Sequence, residues 1–287
     1  MSAPQRAVNS FTEASPWGFP LVMFLHRRFS RVLGKESVIR VKGDGHRFYA
    51  AVHDNFTTDA LVWHGCMDFE RVQAKMINEA LRPSMTVLDL GANIGYYTLL
   101  IARRLQGSGR VYAFEPEAFN FRLLRANVLA NGYENVILLR HAVSDIDGGI
   151  KLFRGGNSGE HSLCYDNISR HAGSECVSVT TLDSFAKNIG RVDMVKMDIQ
   201  GAEGRAIRGG EKLLTKHHPI MFFELAPHLL RNAGDDPRDI IELLESWGYV
   251  LNTINESQHR IEALDIHTIE SRCKMLSDYV NVMAKMP

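Results

Sequence analysis

Asp89-Leu90-Gly91-Ala92-Asn93-Ile94-Gly95 follows the apolar run Thr86-Val87-Leu88 and passes directly into Tyr96-Tyr97-Thr98-Leu99-Leu100. That order predicts a strand, a tight turn with few glycines and the start of a helix. Gly91 supplies backbone freedom, Asn93 is one of the few other residues that tolerates a left-handed backbone, and Gly95 permits close approach of a ligand or a strand. Two phosphate-binding readings are excluded. There is no third glycine spaced for a dinucleotide pyrophosphate, and no Gly-Lys-Ser/Thr ending of a triphosphate loop. The acidic Asp89 stands at the strand end instead, so the turn suits a cationic ligand that carries an amino-acid head.

About twenty residues further on, Arg110-Val111-Tyr112-Ala113-Phe114 predicts a second strand ending in Glu115-Pro116-Glu117. Doubly wound nucleotide folds place a carboxylate on ribose hydroxyls at this separation, which makes Glu115 a candidate ribose ligand. Together the two segments resemble motifs one and two of the S-adenosylmethionine-dependent methyltransferases. A third stretch narrows the likeness: Asp193-Met194-Val195-Lys196-Met197-Asp198-Ile199-Gln200-Gly201-Ala202-Glu203, then Ala206-Ile207-Arg208-Gly209-Gly210. With Phe114-Glu115-Pro116, Thr181-Leu182-Asp183 and Phe222-Phe223-Glu224, it resembles the FkbM-type methyltransferase family from about Phe69 to the C-terminus. That family carries a strand ending in Lys-x-Asp-x-Glu-Gly-x-Glu; this chain departs from it with Gln200 in place of the first Glu.

The resemblance implies an α/β fold, a doubly wound, mostly parallel, seven-stranded Rossmann-like sheet, with S-adenosylmethionine as cofactor. The strand of Asp89 then lies beside the one ending at Asp198, and that one beside the strand ending at Glu224. Their carboxylates line up along the edge where open α/β sheets bind ligands. The expected cofactor-binding residues are Asp89, Gly91, Asn93, Gly95, Glu115, Ala142 and Asp198. The expected reaction is O-methylation of a hydroxyl on a sugar, a lipid-linked glycan or a secondary metabolite. In-line attack on the methyl group needs alignment of two reactants and removal of a proton. Asp198 is the first candidate base. His161, in Gly159-Glu160-His161-Ser162, is the second, since a histidine titrates in the right range. Lys196 shares a face with Asp198 by strand alternation, and Glu224 completes the catalytic candidates. No metal ligand set is assigned, because no tight acidic pair is present. N-methylation of a small amine, and a non-catalytic membrane-peripheral binding protein, are the alternatives.

The 287 residues are 45% hydrophobic and 23% charged, in the range of globular proteins. Lys+Arg and Asp+Glu are both 33, so no global charge marks a nucleic-acid binder. A flipped-base motif of the Asn/Asp-Pro-Pro-aromatic kind is also missing. Cys66, Cys164, Cys176 and Cys273 are scattered, which suggests neither a zinc site nor a disulfide framework, and a reducing cytoplasm is the expected location. The chain divides into an N-terminal segment, 1–82, and a methyltransferase domain, 83–287, with an insertion at about 144–192 that is rich in Gly, Ser and His. Within the first part, the alternating residues around Gly43-Asp44-Gly45 predict a β-hairpin forming a small cap with the helices that follow. Residues 16–35 mingle Trp17, Phe19, Phe24 and Phe29 with Arg27, Arg28 and Arg31. They form either a basic amphipathic helix on anionic lipid or a helix packed on this chain or on a second subunit of a homo-oligomer.

Overall fold

The computed structural model describes residues 38–54, 57–275 and 278–287. The segment 16–35 lies outside the described residues. β1 (Val38–Gly43) and β2 (His46–Ala51) pair antiparallel, and Asp44 and Gly45 turn the chain with φ of 47° and 76°. Both values are left-handed, as a two-residue hairpin turn requires. The hairpin is tied to the helix Ala118–Asn131 by two asparagines one turn apart. Asn127 accepts from Tyr49 N at 2.5 Å and donates to Tyr49 O at 3.1 Å; Asn131 does the same for Arg47, at 2.9 and 2.7 Å. Each carboxamide thus satisfies backbone groups of β2 that would otherwise form a bare sheet edge.

The main chain path then alternates strand and helix. β3 (Thr86–Leu90), β4 (Arg110–Phe114) and β5 (Val136–Leu139) come first. A three-stranded sheet of β6 (His141–Val143), β7 (Gly148–Arg154) and β8 (Gly173–Thr180) interrupts them, in the order β6-β8-β7. β9 (Met194–Met197), β10 (Ile220–Leu225), β11 (Val250–Asn255), β12 (Arg260–Ala263) and β13 (Val280–Lys285) follow. The large sheet runs β12-β11-β13-β10-β9-β3-β4-β5. β10, β9, β3, β4 and β5 are mutually parallel, while β13 is antiparallel to both β10 and β11. The sheet therefore has eight strands where seven were expected. The eighth, β12, pairs only with β11 and is mostly exposed. Its four residues, Arg-Ile-Glu-Ala, have no buried apolar face to announce a strand.

Successive residues of the central strands face two different cores. Val87, Val111, Met194 and Phe222 pack on one side with Leu99, Ile101 and Leu124; Leu88, Phe114, Val195 and Phe223 pack on the other with Ile207, Leu214 and Ile240. Burial on both faces explains why these strands read as nearly unbroken apolar runs. It also places the charged residues. Asp89, Lys196 and Glu224 each lie two positions beyond Val87, Met194 and Phe222, hence on the same side of the sheet. The register pairs Asp89 with Lys196 and Lys196 with Phe222, so these groups collect at one end of one face.

Candidate active site

The turn after β3 is left-handed at three positions: φ is 78° at Gly91, 51° at Asn93 and 98° at Gly95. Gly91 N and Ala92 N donate to Phe114 O at 3.0 and 2.8 Å, locking the turn to β4. A Cβ on Gly91 would fall 1.9 Å from the Asp198 carbonyl oxygen, so only glycine allows β9 to end this close. At Gly95 a Cβ would meet Leu124 Cδ1 at 2.7 Å. The close approach at Gly95 is thus helix packing, and Gly95 lines neither of the cavities described next.

A cavity of about 530 Å³ opens over this face of the sheet, lined by Asp89, Asp198, Glu224, Glu70 and Lys196 and walled by Phe69, Tyr97 and Tyr279. Asp89 is fully buried; Thr98 Oγ1 donates to its Oδ2 at 2.5 Å, and Oδ1 has no partner among the described residues. Burial pushes the Asp89 carboxyl up, with the Lys196 charge and the Thr98 hydroxyl pulling the other way. Burial also raises Glu70 to about 7, although Tyr97 OH donates to its Oε2 at 2.9 Å. Glu224 is held well above the carboxylate range, first by burial and then by the charges of Asp198, Glu203 and Glu70. Lys196 is the cation among them. Its Nζ lies 3.3 Å from Asp198 Oδ2 and 4.8 Å from the centre of the Tyr97 ring. Burial alone would lower its pKa; the Asp198, Asp89 and Glu70 charges outweigh that and raise it. Four carboxylates around one ammonium favour a further positive charge. The orphaned Asp89 oxygen is the acceptor such a cation satisfies.

Asp198 follows β9, with its side chain 31% exposed. Two groups orient it. Lys196 holds Oδ2, and Gln200 Nε2 donates to Oδ1 at 2.8 Å. Gln200 has φ of 51° and Gly201 of 92°. A glutamine in the left-handed region costs roughly 1–3 kcal/mol and persists only where its surroundings over-determine it. Here they do. Ser162 Oγ and Asn167 Nδ2 donate to Gln200 O at 2.7 and 3.0 Å, and Glu203 accepts from Ile199 N and Gly201 N, both at 2.9 Å. Other residues of the signature are also architectural. Asp183 accepts from Leu213 N at 2.8 Å at the start of the helix Glu211–His217, and a Cβ on Gly209 would reach Ser144 O at 2.2 Å.

A smaller cavity of about 60 Å³ adjoins the first and shares Gly91, Asn93, Gly159, Asp198 and Gln200 with it. Glu115, Ala142 and His161 line it. Glu115 accepts from Asn93 N at 2.8 Å and from Glu117 N at 2.9 Å. Burial lifts its carboxyl to about 8 against those two hydrogen bonds. His161 Nδ1 accepts from Gly155 N at 3.1 Å, and burial followed by the Arg154 charge lowers its pKa to about 4. The loop over this cavity is fastened at Ser158. Its hydroxyl donates to Asp54 and accepts from Asn93 Nδ2 at 3.3 Å, while Asn120 Nδ2 donates to Ser158 O at 3.0 Å. Glu70, Gln200 and Ser158 were not among the expected site residues. Asp68-Phe69-Glu70 reads as a helix start, Gln200 as a deviation from a motif, and Ser158 as one of several small polar loop residues. Among the described residues no cluster of His, Cys, Asp and Glu is arranged to hold a metal ion, and no helix is long and apolar enough to cross a membrane.

A parallel sheet with an antiparallel β13 between β10 and β11, a left-handed turn after β3 and carboxylates at the ends of β3, β4, β9 and β10 define a class, the S-adenosylmethionine-dependent methyltransferases. Within it the chain belongs to the FkbM family: the methyltransferase FkbM domain matches residues 89–251. It is similar to the 2-O-methyltransferase NoeI of Sinorhizobium fredii (strain NBRC 101917 / NGR234), 26% identical over 200 residues, covering 63% of this chain and 79% of NoeI. Among solved structures it is similar to methyltransferase FkbM from Methylobacillus flagellatus KT, with 14% identity, TM-score 0.43 and coverage of 94% of this chain and 61% of that one. A SAM-dependent methyltransferase from Aquifex aeolicus aligns with 14% identity, TM-score 0.43 and coverage of 80% and 93%. The protein is an enzyme, and S-adenosylmethionine is its cofactor.

Proposed function

We propose that the enzyme methylates a hydroxyl on a sugar, a lipid-linked glycan or a secondary metabolite, with Asp198 as the base or acceptor-orienting group. The observation that carries this reading is the position of Asp198. It is the partly exposed carboxylate at the seam of the two cavities, clamped through both oxygens by Lys196 and Gln200. S-adenosylmethionine, when bound, supplies the electrophilic methyl group. Glu115 is assigned to its ribose hydroxyls, with Ala142, Gly91 and Asn93 beside the adenosyl group, and Asp89 and Glu224 to its positive end. Gly95 serves the turn that presents these residues. His161 is a weaker choice for the base than Asp198, because burial and the Arg154 charge reduce its basicity and one ring nitrogen is engaged by Gly155. The similarity to NoeI, a 2-O-methyltransferase, supports an oxygen acceptor.

An adenosyl group in the smaller cavity lies against the loop around Ser158, which lines it. We assign residues 83–287 to the methyltransferase domain, the insertion 144–192 supplying that loop. The test is incubation with methyl-labelled cofactor and three acceptors: a free sugar, a lipid-linked oligosaccharide and a small primary amine. Label in an alkali-stable ether supports the reading. Label only on nitrogen replaces it with N-methylation, and cofactor binding with no product on any acceptor class favours a non-catalytic binder.

A further inference from the structure

A groove of about 730 Å³ runs along the outer side of the helix Tyr96–Leu105, between it, the helix Arg71–Ala80 and the β1–β2 turn. Its walls are cationic. Arg71 and Lys75 stand one turn apart on one helix, and Arg103 and Arg104 lie in the last turn of the other. All four are exposed. The acid on this wall is Asp44, and its Oδ2 is engaged by Tyr96 OH at 2.5 Å. Lys75 has Glu79 at 3.8 Å, and Arg103 donates to the Asp44 backbone oxygen at 3.2 Å. Among the described residues Arg71 and Arg104 have no carboxylate within ion-pair distance. Arg103 and Arg104 complement the dipole of the helix they end, a sufficient structural reason for those two. Arg71 opens its helix, where a positive side chain opposes the dipole, so the same reason does not cover it.

Tyr96 lines both this groove and the 530 Å³ acidic cavity. From Tyr96 to Arg104 the helix rises about 12 Å. Tyr96 is buried between the two, so the basic groove lies beside the acidic cavity, on the other side of that ring. A ligand filling both would present a polar neutral or cationic end to the carboxylates and an anionic end to the arginines, whose planar donors suit phosphate oxygens.

We propose that the groove is an anion subsite for a phosphate-bearing methyl acceptor. Resting on the hydroxyl-methylation reading above, the hydroxyl enters the acidic cavity and the phosphate lies past Tyr96 against Arg71, Arg103 and Arg104. The phosphate belongs either to a soluble acceptor or to the head of a lipid.

The experiment uses the full chain and the double variant Arg71→Glu/Arg104→Glu, which changes two exposed side chains and no residue of the cleft. Calorimetry with inorganic pyrophosphate, and flotation with phosphatidylglycerol vesicles against phosphatidylcholine vesicles, read anion binding. S-adenosylhomocysteine titration reads the cofactor cleft separately. The expected result is pyrophosphate or vesicle binding by the natural chain that weakens with salt, at least a tenfold loss in the variant, and unchanged S-adenosylhomocysteine affinity. Pyrophosphate binding without flotation assigns the phosphate to a soluble acceptor, and flotation without pyrophosphate binding assigns it to a lipid head. Neither probe binding the natural chain overturns the proposal, as does equal binding by the variant. A single-stranded oligonucleotide binding more tightly than pyrophosphate overturns it in favour of nucleic acid. If S-adenosylhomocysteine fails to bind the natural chain, the methyltransferase reading of the cleft fails, whatever the anion probes report.

Discussion

Asp89, Lys196 and Glu224 reach the cleft because strand alternation puts them on one face of β3, β9 and β10, whereas Ser158, His161 and Asn167 reach it from the long loop between β7 and β8, with Ser162 buried behind them. The strand-borne groups are titratable and buried, with carboxyl groups outnumbering the ammonium. Ser162, Asn167 and His161 are neutral and bond backbone, Ser162 and Asn167 to Gln200 O and His161 to Gly155 N, while Glu160 on the cavity wall accepts from Asn157 Nδ2 at 3.0 Å. Strand register can therefore fix chemistry, while the loop fixes shape by holding a strained turn in place. If that division is right, changes on the strand side should alter reaction and protonation, and changes on the loop side should act through geometry.

The largest effect is expected at Asp198. Asp198→Asn keeps the size of the side chain and removes its basicity, so single-turnover methyl transfer should fall by about a hundredfold or more, with S-adenosylhomocysteine affinity within a few-fold of the natural chain. Retained turnover would take the base away from β9, with His161→Ala the next variant to assay. Glu115→Ala comes second. It removes the ribose partner and leaves Asn93 N and Glu117 N without an acceptor, a loss of roughly 1–3 kcal/mol, and calorimetric affinity for S-adenosylhomocysteine should fall at least tenfold. Since Glu115 also holds Asn93 N and Glu117 N, Glu115→Gln is the sharper control. It keeps an acceptor for the turn and should recover part of the loss.

Protonation tests the charge imbalance directly. Glu70 is pushed up to about 7 and Glu115 to about 8, well above an unfolded glutamate. A carboxyl whose folded pKa is raised contributes stability that is complete below its unfolded pKa and is lost as pH rises through the folded value. Lowered histidines such as His161 act oppositely, but only below about 6.5. Between pH 7 and 9 the carboxyls therefore dominate, and the melting temperature of the cofactor-free protein should drop as pH rises. Saturating S-adenosylmethionine, a cation, should flatten the slope. A flat or rising profile without cofactor would contradict the burial of these acids, and Glu115→Gln should remove much of the slope if Glu115 is its main source.

What could be read from the sequence follows the same division. The turn 89–95 and the acid after β4 were legible from local spacing, whereas the strand order β3-β9-β10 was an expectation carried by the family resemblance. The pairing of Lys196 with Asp198 followed from the two-residue period. Glu70 was not legible: it comes from a single turn of 3₁₀-helix far upstream, and only tertiary packing brings it beside Tyr97. At Gly95 the close neighbour is Leu124, a contact that nothing local announces. β12 was missed because an exposed four-residue edge strand has no pattern to detect.

Gln200 joins the two halves of the comparison, and its variant is expected to have the smallest effect. Its backbone is held by the loop through Ser162 and Asn167, while its side chain donates to strand-borne Asp198. Gln200→Glu restores the residue that the family pattern carries and places a second carboxylate where an amide now donates at 2.8 Å. Two carboxylates this close disfavour joint ionisation. The left-handed turn does not depend on the side chain, so the fold and cofactor affinity should be unchanged. Turnover should fall a few-fold at pH 6 and recover toward pH 9, moving the acidic limb of the pH–rate profile upward. Gln200→Ala removes the donor without adding charge and should lower turnover with no such shift. Identical profiles for all three proteins would show that Gln200 serves only the turn, and the orientation of Asp198 would then rest on Lys196 alone.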